Sequence, residues 1–152
     1  MSDLVRTERG RPPWLPADGS TLIEDLHRYD APLDGVLRQE GVDFLFRCIS
    51  GEVDDYSLWA YSIITEPELA SLRGTEGPDA LDGVEADIWQ DSRPMTVVFV
   101  AADGIVERVN VDGPLVAERL QSAIAELADA VDRQLGEVKG GLRRAAEALS
   151  VP

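Results

Sequence analysis

Only one cysteine, Cys48, and one histidine, His27, occur in 152 residues. A single cysteine excludes an internal disulfide, and the expected location is a reducing cytoplasm. One histidine and one cysteine, far apart in the chain, make no zinc set without help from carboxylates. Basic residues are scarce too: 14 lysines and arginines stand against 29 acidic residues, a formal charge of −15. Such a chain repels nucleic-acid phosphates and anionic lipid, so neither nucleic acid nor membrane is expected as a direct partner. No apolar run approaches the roughly 20 residues that span a bilayer, and no signal-peptide core opens the chain. Nucleotide loops are missing: neither G-x-x-x-x-G-K-[ST] nor G-x-G-x-x-G occurs. Ser50, Ser57 and Ser62 lack a G-x-S-x-G setting. No cofactor is expected, and the chain leans away from an enzyme.

What is present reads as a folded domain. Apolar residues make up 44% and charged residues 28%, ordinary values for a globular protein. Residues 1–19, with Arg6, Arg9, Arg11 and Pro12, Pro13, Pro16, read as an extended arm or tail; a mobile terminus is the leading expectation, and Trp14 between prolines is the candidate anchor to the body. Residues 20–29 fit a short helix or a strand ending at Tyr29, and Pro32 stops any helix there. Val42, Phe44, Phe46 and Cys48 alternate with Asp43, Leu45 and Arg47, which predicts a strand after the Glu40-Gly41 turn. Tyr56 to Thr65 is apolar on both faces, as a central strand would be. Thr65 with Glu68 three residues later makes a capping box for a short helix that Gly74 ends. Residues 75–94 read as a long polar loop anchored by Val84, Ile88 and Trp89. Met95 to Ala101 and Ile105 to Val111 flank Asp103-Gly104 as a hairpin whose return strand lies near an edge.

Pro114 then opens a long helix. Its apolar stripe runs from Val116 through Leu120, Ile124, Leu127, Val131 and Leu135 to Leu149, at a mean spacing of about 3.67 residues. Uninterrupted, it would be about 50 Å long, more than a domain of this size can cover. Gly136, Gly140 and Gly141 predict a break, each costing about 1 kcal/mol against alanine. The expected fold is therefore α+β: a single domain with an antiparallel sheet of about five strands, a short central helix and a long C-terminal helix packed on it. Residues 1–19 are the arm, 20–135 the domain, and 136–152 a basic amphipathic segment.

Charge follows this division. Asp30 to Asp112 hold 18 acidic and 5 basic residues, whereas Lys139, Arg143 and Arg144 outnumber Glu137 and Glu147 after Gly136. The clusters "SGEVDDYS" and "DALDGVEAD" lack calcium-loop spacing and read as solvated turns. A Cys48–His27 dyad is weaker than the plain reading of Cys48 as a buried, inert thiol in a strand. Trp59 and Trp89 read as core or loop anchors ahead of pocket walls. The leading expectation is a non-enzymatic adaptor, inhibitor, chaperone-like or immunity-type factor that binds a basic protein partner. Asp54, Asp55, Asp82, Glu85 and Asp87, with Lys139, Arg143 and Arg144, are its candidate contacts. In element order and acidity the chain resembles small secretion-chaperone-like α/β proteins, with no shared sequence motif. Two alternatives remain: a subunit of a homodimer or larger assembly using the overhanging helix, or a small-molecule sensor or enzyme with its site in residues 75–94. A deep pocket ringed by shifted carboxylates is the feature that would favour the last.

Overall fold

Short apolar runs separated by glycine turns pair in chain order. A computed structural model describes residues 4–29, 31–51 and 56–131. It has strands β1 (Ser20–Tyr29), β2 (Ala31–Gln39), β3 (Val42–Gly51) and β4 (Ser57–Ile64), then helices α1 (Glu66–Arg73) and α2 (Pro78–Trp89). Strands β5 (Pro94–Ala101) and β6 (Gly104–Asp112) and helix α3 (Ala117–Val131) follow. The six strands form one antiparallel sheet in the order β1-β2-β3-β4-β5-β6. Glu40 and Gly41, the two residues between the paired Gln39 and Val42, both have positive φ, 51° and 81°. That is the primed turn whose twist matches a right-twisted hairpin.

Alternation along the strands decides what each face of the sheet buries. Leu37, Phe44, Phe46, Trp59, Tyr61 and Val98 form one apolar layer. The N-terminal arm covers it. Val5 is 2% exposed, Trp14 sits 6.2 Å from Trp59 ring to ring, and the Tyr61 hydroxyl donates to the Pro13 carbonyl. Gly10 N–H donates to Ile105 O, and Ile105 N–H to Arg11 O, so the arm also pairs with the start of β6. Val36, Leu45, Leu58, Ala60, Val97 and Phe99 form the opposite layer, under the three helices. β4 is buried on both sides, as its sequence predicts.

The capping box of α1 is present: Thr65 Oγ1 accepts from Glu68 N–H, and Glu68 Oε1 accepts from Thr65 N–H. Arg93 donates to both Glu68 carboxylate oxygens, at 2.9 and 2.7 Å. Those hydrogen bonds hold Glu68 below its ordinary pKa, against the opposing effect of burial. A depressed carboxyl stabilises the fold above its unfolded-state pKa of about 4.5 and loses that contribution as pH falls through the folded value. Glu68→Gln is expected to cost about 1 kcal/mol at neutral pH. The gap should close in thermal melts taken from roughly pH 5 down to roughly pH 2. A gap that persists in acid would assign the loss to packing.

Three expectations from the sequence need correction, and one ambiguity is resolved. The sheet has six strands, not about five. The segment read as ambiguous is the long strand β1, and β2 follows it despite Pro32, Asp34 and Gly35. Residues 75–94 are not a loop, because α2 occupies Pro78–Trp89 with its proline in the first turn. Ile88 and Trp89 anchor it, each 3% exposed, with Leu81 and Val84 partly buried. The C-terminal helix is α3, which begins at Ala117 and not at Pro114, the residue that follows Gly113 through a cis peptide. Leu120, Ala123 and Leu127 turn into the core. The predicted break at Gly136 and the basic segment 136–152 lie outside the described residues. Among the described residues, no helix is long and apolar enough to cross a membrane.

Candidate functional site

β1 is irregular where it passes β2. Its register is interrupted between Leu22 and Glu24, between Asp25 and His27, and between His27 and Arg28. With Asp25 opposite Gly35, a regular ladder would set Leu26 opposite Asp34. The extra residue instead sets His27 there. A bulge re-aims a side chain in this way. Gly35 permits the close approach, since a Cβ there would strike the Glu24 carbonyl and crowd the Phe46 ring. On the other side of β2, Arg47 pairs with Asp34. α2 lies above: Asp82, Glu85 and Ala86 share one helical face through their three- and four-residue spacing.

Together these residues line a cavity of about 580 Å³, with His27 from β1, Leu33 and Asp34 from β2, Arg47 and Cys48 from β3, and α2 as the far wall. His27 Nδ1 is 2.6 Å from Asp34 Oδ1 and 3.7 Å from Glu85 Oε1, and His27 Nε2 is 3.8 Å from Asp82 Oδ1. Asp34 and Glu85 are 6% and 3% exposed, whereas the Asp82 side chain stands at the rim with 68% exposed. Glu85 Oε1 is buried without a hydrogen-bond partner. Burial, reinforced by the neighbouring Asp34, pushes the Glu85 carboxyl up to about 9. Arg47 works against that shift and Asp82 adds to it. The Cys48 thiol, half-buried at the cavity wall, is pushed up to about 11 by burial. It stays protonated at neutral pH, with Ser50 O 3.9 Å away, so it is a poor nucleophile.

The structure thus brings His27 and Cys48 into one cavity, as a dyad would require, but leaves the thiol unactivated. Of the candidate contacts, Asp82 is at the cavity rim, Asp87 is exposed on α2 outside the lining, and Glu85 is turned inward and buried. Glu85 is therefore not part of an exposed acidic surface. Asp54, Asp55, Lys139, Arg143 and Arg144 lie outside the described residues. Trp59 and Trp89 are core residues. Asp34 and Arg47 are the site residues that sequence reading passed over. Among the described residues, His27, Asp34 and Glu85 can each offer one ligand atom, all within 4.8 Å of one another. Such a group can hold a cation, or pass a proton between imidazole and carboxylate. No protein-family model, curated protein or solved structure matches this chain.

Proposed function

We propose that this protein is a binding protein of the sensor type, whose site is the cavity between β1–β3 and α2 and whose ligand carries positive charge. One observation carries the reading: the inward Glu85 carboxyl, buried beside Asp34 with an oxygen that has no partner. A buried polar atom without a partner costs stability, on the order of 1–3 kcal/mol. A cation between the two carboxyls removes that cost, and the rim carboxylate of Asp82 draws the cation inward. The test is thermal stability at low salt, with divalent metal ions, primary amines and guanidinium compounds added in turn. At least one class should raise the melting temperature of the wild type and not that of Glu85→Gln. The variant removes the buried acid and is expected to fold at least as stably. If no cation stabilises the wild type, the reading falls.

A second reading, an acidic factor docking on a basic protein, draws on the helical layer. Glu66, Glu76, Asp79, Asp87, Glu118, Glu126 and Asp129 are all exposed there. Affinity carried by that layer would fall as salt rises, because exposed charges are screened over about 8 Å at physiological ionic strength. Reversing Asp79 and Asp87 to lysine should weaken it further, and an affinity indifferent to both changes would end this reading.

A further inference from the structure

We infer that His27, Asp34 and Glu85 form a binding site for one divalent transition-metal ion, with Asp82 orienting the imidazole from outside. The inference rests on the cavity reading above and names its ligand. Geometry comes first. Ligand atoms held at about 2.0–2.2 Å from a metal in tetrahedral array lie roughly 3.3 Å apart. The Nδ1–Oδ1 and Nδ1–Oε1 separations of 2.6 and 3.7 Å bracket that value. The cation takes the place of the proton between imidazole and Asp34, and the two groups open by about 0.7 Å from their 2.6 Å separation.

The second argument is the state of Glu85. It is 3% exposed, and its Oε1 meets no donor although it faces His27 and the cavity. A structural carboxyl at this depth would be expected to accept from a backbone amide or a nearby arginine. The side chain of Glu85 interacts with Asp34, and its Oε1, still without a partner, is left for a metal to bind.

The imidazole supplies the third. If Nδ1 binds the metal, Nε2 must carry the proton, and Asp82 Oδ1 stands 3.8 Å from it, close enough to accept after a small rotation. A metal-bound histidine usually has its other nitrogen tied to a carboxylate in this way, which fixes the tautomer.

Donor chemistry narrows the ion. One imidazole and two carboxylates favour zinc, manganese, iron or cobalt over calcium and magnesium, which take oxygen ligands in larger number. The open side of the cavity leaves room for water to complete the shell. Cys48 is set aside by geometry, since its Sγ is not among the ligand atoms that lie within 4.8 Å of one another.

Cobalt(II) is the probe, because its visible absorption reports the donor set, with zinc(II) calorimetry beside it. The wild type is expected to bind one equivalent saturably. His27→Gln and Glu85→Gln should each weaken binding at least tenfold, Asp82→Asn by a smaller factor, and Cys48→Ser not at all. Should a variant fail to fold, amide spectra of the wild type with manganese(II) still decide: broadening must centre on residues 27, 34 and 85. Absence of saturable binding, broadening centred elsewhere, or unchanged affinity in folded Glu85→Gln overturns the inference. Stabilisation by an amine or guanidinium compound alone would remove the metal but keep the cavity as a cation site. Failure of every cation removes both.

Discussion

Trp59→Ala should destabilise the fold by about 3–5 kcal/mol and loosen the N-terminal arm. Trp59 is fully buried on the central strand β4, with Phe46 on its own sheet 6.2 Å away and Trp14 of the arm at the same distance. Its Nε1–H donates to Ser57 Oγ at 2.8 Å, so the substitution also strips a buried hydroxyl of its donor. Urea melts measure the first effect. Limited trypsin digestion measures the second, because Arg6 and Arg9 offer cleavage sites in the arm that Trp14 fastens. A loss under about 1 kcal/mol with unchanged digestion would mean that the remaining contacts, Val5 and the Tyr61–Pro13 bond, hold the arm alone.

Leu127→Ala should cost roughly 2–5 kcal/mol. Leu127 is fully buried and closes the row Leu120–Ala123–Leu127 by which α3 is seated, and α3 lies against β6. The neighbouring Glu126 is exposed, and Glu126→Ala should change stability by no more than about 0.5 kcal/mol. Since α3 contributes nothing to the cavity lining, Leu127→Ala is expected to lower the melting temperature and leave cation affinity unchanged well below the melt. Lost affinity at a temperature where the variant is folded would show that α3 supports the site through the sheet.

Alternation made β3 readable from sequence, an apolar run on both faces made β4 readable, and the Thr65–Glu68 box made α1 readable, because each is a local rule. α2 was hidden by its composition. Aspartates, a glycine and a proline in "PDALDGVEADIW" argue for a loop until Leu81, Val84, Ile88 and Trp89 are weighed by spacing. The cavity was out of reach for a different reason. It depends on where β1 carries the extra residue before His27, one of three register shifts against β2, and a one-residue change of register exchanges the side chains on the two faces. Nothing in "STLIEDLHRYDAPLDG" states where that residue falls. The available signals were a sole histidine near a strand glycine, and two acids three residues apart in the "DALDGVEAD" run. Glu85 looked like one more surface carboxylate, because burial is a property of the assembled layers and not of its neighbours in the chain.

The strictly sequential strand order also has a kinetic consequence. β1 through β4 pair between chain neighbours, and so do β5 and β6, so both blocks close short loops early. Only β4 and β5 wait for an excursion, residues 65–93, which carries α1 and α2. The β1–β3 wall of the cavity belongs to the first block, while Asp82 and Glu85 arrive with that late connection. A bound cation therefore gains its full set of contacts only after the last closure. It should slow unfolding and leave the refolding rate unchanged. Stopped-flow chevrons with and without the cation would show this as a shift in the unfolding limb alone, and an accelerated refolding limb would instead place α2 in the early-forming nucleus.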